Sequence, residues 1–474
     1  MTLVQAPLRR RVLAFAYSAA NSRRSIYVAL FAGLAVYFVI WPIWRAQFLV
    51  EIWLTEGWNA YFQDAAISGA RLYPEAGSLI VNNYPPLSFY AVGLLGQVVG
   101  DNLFAGRLLS LVGLVSIAVE IFLCVRILAG GWSGGLIGAF WFVAIMSHNS
   151  STYVGANDPQ LAGEAIMGAG LVLMLARDAA RKSITPALLI MVVGGFWKHN
   201  MIAIPLTAVT WLFLSHGRRA VRPVAVSALA AGAGLLICGA VYGKAFFQNL
   251  LVARDYSVSH VLVNVGHLQW SAAAMMIWAS WVATTRSTAA RFTMLHVPIG
   301  LFACLLQWTG DAIFGNAEFD LLLALGIATG VTFEEIKLSV FALRFGAGAA
   351  QAGMVAILAL RLIASDRQEP ALVLFDPGFR SQLKADERSA RAEAVRVWQV
   401  QGDVFCTNKV ICRLAGKPFV VDDFKVEQMI ATHAITKSQL DEMLTSRKIA
   451  RVDSGAAGTA TASPSLSRAL ARGK

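Results

Sequence analysis

Long apolar blocks separated by short polar breaks fill most of the first 365 residues. Blocks of about 20 residues with few charges predict membrane-spanning helices, because a helix needs that length to cross the hydrocarbon core. The pattern places eleven of them, at 25–44, 104–128, 133–150, 159–176, 184–197, 200–216, 223–243, 270–285, 293–309, 318–333 and 339–363. The apolar run at 85–99 is only about 15 residues, short for a span, and predicts a helix lying on the membrane surface. After residue 365 the pattern changes. Short apolar runs at 371–375, 403–406 and 418–421 predict strands, and the charged stretch 384–400 predicts a helix, which together suggest a small α/β domain. The Ala-, Gly-, Ser- and Thr-rich stretch 453–474 predicts a disordered tail.

The expected fold class is therefore an all-α polytopic membrane protein of about 11 transmembrane helices with juxtamembrane helices on the outer face, plus a small C-terminal α/β domain. It divides into a cytoplasmic N-terminal tail (1–24), a transmembrane catalytic domain (25–365), a small periplasmic domain (366–452) and the tail (453–474). Composition agrees. Hydrophobic residues make up 57% and charged ones 14%, against roughly 25% charged in soluble domains, which excludes a soluble helical core.

The net charge of +12 raises nucleic acid as a partner, but no basic stripe interleaved with aromatics is present. The Arg and Lys residues instead sit in breaks between apolar blocks, as the positive-inside rule requires of cytoplasmic loops. With 85–99 on the surface, almost every basic loop cluster falls on the cytoplasmic side, together with Arg9, Arg10, Arg11, Arg23 and Arg24. The first apolar run is too long for a cleaved signal peptide. The outer face then carries Glu56, Asp158, Lys198, His199, Asn200, the loops 244–268 and 310–317, and the C-terminal domain. In a bacterial inner membrane, which the Ala- and Arg-rich composition suggests, that face is periplasmic. Cys124, Cys238 and Cys304 lie inside apolar blocks as small core residues. Cys406 and Cys412 lie in the polar part, where a disulfide can form if the region is outside the cytoplasm.

Two acids stand just outside apolar segments, Glu56 in Thr55-Glu56-Gly57-Trp58-Asn59-Ala60-Tyr61 and Asp158 in Asn157-Asp158-Pro159. A carboxylate at a membrane boundary is costly and marks a site that handles something, unless it only caps a helix, as Asn157 and Asp158 can before Pro159. Lys198 interrupts an apolar run, at similar cost. These residues occur in order with Arg71-Leu72-Tyr73-Pro74, Asn83-Tyr84-Pro85-Pro86-Leu87, Ala105-Gly106-Arg107-Leu108 and Lys198-His199-Asn200. In that order and spacing the chain resembles the GT-C polytopic glycosyltransferases that use polyprenyl-phosphate sugars, in the branch of the protein O-mannosyltransferases and the lipid A aminoarabinose transferases.

The resemblance covers roughly the first 330 residues and implies a general base in the first outer loop. Glu56 is the candidate; the chain has Thr55-Glu56 where many members have an Asp-Glu pair, and Glu51 and Asp64 are nearby substitutes. Asp158 is the second catalytic candidate, to orient the acceptor, pair with a cation or hold a divalent ion such as Mg²⁺ or Mn²⁺. Lys198 is the candidate for the donor phosphate, followed by Arg254, Tyr256, Lys244 and His260. His199, Asn200, Tyr61, Tyr84, Arg107, Asn316 and Asp320 complete the candidate substrate-binding set, with Asp311 and Glu318 beside the last two. The expected activity is transfer of a sugar from a polyprenyl-phosphate donor to a lipid, polysaccharide or protein of the cell envelope, with inversion if attack is direct. A transporter or flippase of a lipid-linked substrate is the alternative, although no internal repeat is visible. A non-catalytic scaffold for envelope assembly is a third.

Overall fold

A computed structural model describes residues 5–364 and 367–452. Its helices are α1 (Gln5–Arg45), α2 (Glu56–Ser68), α3 (Leu87–Val99), α4 (Asn102–Ala129), α5 (Trp132–Asn149), α6 (Gln160–Ala179), α7 (Thr185–Trp197), α8 (Ala203–His216) and α9 (Val221–Tyr242). The short α10 (Lys244–Leu250) and α11 (Val258–Asn264) are followed by α12 (Ala272–Val282), α13 (Thr288–Gln307), α14 (Phe319–Glu335), α15 (Val340–Phe345) and α16 (Ala347–Ile363). The C-terminal part holds α17 (Glu369–Phe375), α18 (Pro377–Gln399), β1 (Val404–Cys406), α19 (Lys409–Leu414), α20 (Asp423–Ala431), α21 (Lys437–Ser446) and β2 (Ala450–Val452). Each of the eleven expected spans has its helix. Among the described residues, six stretches are long and apolar enough to cross a membrane by length and composition, and shorter apolar helices such as α7, α12 and α16 complete the bundle.

The core runs through α1, α4, α5, α6, α13 and α14. Helix α14 is its axis, with every residue from Phe319 to Phe333 buried. Glycines let neighbours approach it: a Cβ at Gly138 would stand 2.3 Å from the carbonyl oxygen of Gly326. At one end of the bundle, Arg24 pairs with Glu334 and His216 with Asp178. The loops of the opposite end meet one another. Tyr153 hydrogen-bonds Asn316, Asp158 pairs with Lys198, and Asn249 Nδ2 donates to the Pro74 carbonyl.

Helix α3 is 13 residues, about 20 Å at 1.5 Å per residue and short of the ~30 Å hydrocarbon thickness. It starts beside Tyr84, which faces His199, and ends beside Asp101, which pairs with Arg413. Both termini therefore lie at the loop-rich end, and α3 is juxtamembrane as expected.

The C-terminal part departs from expectation in two places. Residues 371–375 form helix α17, not a strand. Pro370 sits in its first turn, where its missing N–H costs nothing, and Val373 packs against Trp41 and Phe48. Residues 418–421 form no strand. The sheet is a parallel pair only, β1 on β2, with Val404 opposite Ala450. A disulfide joins Cys406 to Cys412, closing the turn from β1 into α19. Helix α1 begins at Gln5, inside the segment assigned to a tail, and the stretch 453–474 lies outside the described residues.

Candidate active site

Glu56 is the first residue of α2, where a carboxylate meets the positive end of the helix dipole. It is completely buried. Arg107 on α4 donates through Nε and Nη2 to Glu56 Oε1 and Oε2 at 2.8 Å each. The backbone N–H groups of Ile52 (2.7 Å) and Asn157 (2.8 Å) fill the remaining positions. Arg107 spends its other donors on the carbonyls of Ala46 (3.3 Å), Phe48 (2.5 Å) and Val50 (2.7 Å). The pair thus stitches the loop after α1, the start of α2, and the Asn157-Asp158 turn to α4. Glu56 keeps no free oxygen toward a substrate in this geometry.

The Asn157-Asp158 turn is fixed from several sides. Asn157 and Gln63 exchange amide hydrogen bonds of 2.9 Å, and Asn59 Nδ2 donates to the Asn157 carbonyl at 2.9 Å. Asp158 is carried out of this frame toward Lys198. Its Oδ1 accepts from the Gln160 backbone at 2.8 Å, so it caps α6, and from Lys198 Nζ at 3.2 Å. Its Oδ2 has only Thr55 Oγ1, at 3.5 Å. The capping and the pairing roles coexist on Oδ1, and Oδ2 carries only the one long contact.

Lys198 directly follows α7 and is 1% exposed. Its ammonium lies 4.7 Å from the centre of the Tyr84 ring, a cation–π contact. Burial pulls its pKa down, but Asp158 and Tyr84 outweigh burial and hold it above the usual lysine value. A buried, charged ammonium that can neutralise an anion thus stands next to a carboxylate whose second oxygen is held only by one long contact and can receive a proton.

The other candidates divide. Asn200 Nδ2 donates to Gln307 at 2.7 Å, and Asn316 Oδ1 accepts from Tyr153, whose ring packs on Trp53. His199 faces Tyr84. Of these, His199 shares the Tyr84 ring with Lys198. Asp320 lies further along α14, where its side chain meets Glu164 of α6. Glu164 also accepts from Gln160 Nε2 at 2.9 Å, and it was missed; an acid inside the run Gln160-Leu161-Ala162-Gly163-Glu164 was the available signal. Glu318 is buried with His267 at 3.9 Å. Tyr256 is exposed on the loop-rich end, and His260 faces Asp255.

Tyr61, Arg254, Glu51 and Asp64 serve a different junction. Tyr61 stacks on Phe419 at 5.0 Å and donates to the Lys417 carbonyl. Arg254 lies over Phe424. Arg413 bridges Asp64 and Asp101 at 2.6 and 2.9 Å. Trp58 Nε1 donates to Asp422 at 3.1 Å. Gly57 allows this close docking: a Cβ there would stand 2.5 Å from Lys409 Cβ. The C-terminal domain therefore sits directly on α2, the helix whose first residue is Glu56. Lys409 pairs with Asp423 above Glu51, and burial pushes both Glu51 and Asp422 up to about 8. The sequence carries no signal for this junction, since partners such as Asp64 and Arg413, or Trp58 and Asp422, are 349 and 364 residues apart.

Among the described residues no group of three or more His, Cys, Asp or Glu is placed to hold a metal. Asp158 Oδ1 is taken by the Lys198 ammonium and the Gln160 N–H, and no second carboxylate is bonded to Lys198. The donor set does not fit Mg²⁺ or Mn²⁺.

Two solved structures resemble this arrangement along nearly the whole chain. ArnT from Cupriavidus metallidurans bound to undecaprenyl phosphate matches with a TM-score of 0.56 at 15% identity, covering 88% of this chain and 91% of that one. ArnT from the same organism in the apo state matches with a TM-score of 0.54 at 14% identity, covering 96% and 95%. The chain has the ArnT fold. No family model and no curated protein matches the sequence. The ArnT fold extends over the C-terminal domain as well as the bundle, because a match over 96% of the chain leaves no room for its omission. It is the fold that the motif resemblance implies.

Proposed function

We propose that this chain is a membrane glycosyltransferase that moves a sugar from a polyprenyl-phosphate donor to a cell-envelope acceptor, at the outer face of the inner membrane. The observation that carries the reading is the buried Lys198, held between Asp158 and Tyr84 at the loop-rich end of an ArnT fold. The similar ArnT structure binds undecaprenyl phosphate, and an ammonium in a dry site is what such a phosphate needs. Basic loop residues at the other end of the bundle favour a cytoplasmic position for that end.

In this proposal the donor phosphate takes a hydrogen bond from the Lys198 ammonium. The acceptor hydroxyl gives its proton to Asp158 Oδ2, and its oxygen attacks the anomeric carbon. The bond from that carbon to the phosphate oxygen breaks, its electron pair stays on the phosphate, and Lys198 offsets the charge gained. Direct attack inverts the anomeric configuration. A general base of this kind contributes about 10²–10⁴-fold. Glu56 acts through Arg107 and Asn157 as a positioning residue. No step runs through a metal.

Binding of undecaprenyl phosphate to the purified protein in detergent tests the Lys198 assignment. Wild type is expected to bind, and Lys198→Met to bind about 10- to 100-fold more weakly, the loss of one charge-assisted hydrogen bond. Lys198→Arg should retain part of the affinity. Equal binding by Lys198→Met would remove this residue from the site.

A further inference from the structure

Helix α18 carries a feature that the transfer reaction does not use. Its buried face, Leu383, Ala390, Ala394 and Val397, packs inward. On one flank lie Lys384, Arg388, Arg391, Val395 and Trp398, which fall within an arc of about 80° at 3.6 residues per turn. All five are exposed, Trp398 at 67% and Val395 at 57%. Arg391 pairs with Glu387, whereas Lys384 and Arg388 have no ion-pair partner among the described residues. Two adjoining cavities follow this flank. One, of about 520 Å³, is lined by Phe48, Ser381, Lys384, Arg388 and Arg391, together with Glu387, whose charge Arg391 offsets. The other, of about 450 Å³, is lined by Arg391, Val395, Trp398 and Leu414. The groove is cationic at one end and apolar at the other.

Both ends of α18 are tied to the same level of the molecule. Near its start, Phe379 and Leu383 pack with Trp41, Trp44 and Phe48, where α1 leaves the bundle. Near its end, Val397 packs on Ile411 of α19, and Leu414 of α19 packs with Leu49 and Leu103, where α4 enters it. Helix α18 therefore lies across the rim of the bundle, along the plane in which membrane helices end. Tryptophans at that level belong to the headgroup region.

We propose that the α18 groove binds the headgroup of an anionic membrane lipid. The phosphate sits between Lys384 and Arg388, and the apolar stem lies against Val395, Trp398 and Leu414. Charge complementarity selects the anionic lipid, and the tryptophan end selects an amphiphile. The bound lipid holds the C-terminal domain to the membrane beside α19, the helix that docks on α2. This does not depend on the transfer reaction.

The test uses the full-length protein in detergent, titrated with phosphatidylglycerol or with phosphatidylcholine, with bound lipid counted by native mass spectrometry. Wild type is expected to hold one more phosphatidylglycerol than Lys384→Ser/Arg388→Ser does, and the variant to bind that lipid about thirtyfold more weakly, from the loss of two basic residues at a membrane surface. The charge-preserving Lys384→Arg/Arg388→Lys should bind like wild type. Trp398→Ser should weaken retention of both lipids. The proposal is overturned if wild type and the Ser variant retain equal amounts of phosphatidylglycerol, or if wild type shows no preference over phosphatidylcholine. An unchanged melting temperature in the Ser variant, expected for two exposed unpaired residues, keeps either result readable.

Discussion

Substituting Glu56 separates a structural carboxylate from a catalytic one. The residue and Arg107 are 0% and 1% exposed and share two hydrogen bonds of 2.8 Å. Removing one partner of a buried pair leaves the other charged and unpaired, which costs about 3–5 kcal/mol. At ~2 cal/mol/K of unfolding entropy per residue, that lowers the melting temperature by about 3–5 °C in a chain of this length. Arg107→Met and Glu56→Gln are each expected to show this loss in detergent, and the apolar double variant Arg107→Met/Glu56→Leu not to recover it, because the N–H groups of Ile52 and Asn157 and the carbonyls of Phe48 and Val50 lose their partners. Activity should fall in step with the melting temperature in all three. A Glu56→Gln protein that melts like wild type but has lost transfer would refute the reasoning and return Glu56 to the role of base.

Three further outcomes follow from the junction between the bundle and the C-terminal domain. Gly57→Leu should lift α19 from α2, since even a Cβ would meet Lys409 at 2.5 Å; limited proteolysis should then cut between α16 and α18 faster than in wild type. Burial pushes Glu51 and Asp422 up to about 8, so both favour the protonated form when docked. Their contribution is full below the ordinary carboxylate range and is lost as pH rises through about 8; hydrogen exchange at α19 should quicken on going from about pH 6 to about pH 9 after correction for intrinsic rates, and Asp422→Asn should flatten the change. Tyr61→Ala removes a stacked ring pair worth about 0.5–1.5 kcal/mol and the hydrogen bond to Lys417; it should raise exchange at 417–419, and unchanged protection would count against the docking.

Much of the bundle was legible because each span announces itself locally. The break at Lys198 was visible as a charge in an apolar run, and the shortness of 85–99 was visible as a count of residues. Pairings were not. Glu56 and Arg107 each stood out, yet nothing local says that side chains 51 residues apart meet. The run 371–375 was misread because five apolar residues carry no period that separates a strand from a buried helical turn. Helix α17 is decided by α1, against which it packs. The run 418–421 reads as a strand in the sequence, but its neighbour Asp422 donates its backbone N–H to Leu79, in the loop between α2 and α3, rather than to a sheet.

The most direct measurement is transfer of labelled sugar from a panel of polyprenyl-phosphate donors by purified protein in lipid, comparing wild type with Asp158→Asn. Turnover by wild type with at least one donor is expected, and a fall of about 10²–10⁴-fold in Asp158→Asn with undecaprenyl phosphate binding retained. Turnover unaffected by Asp158→Asn, or donor binding by wild type without any transfer, would contradict the proposed function.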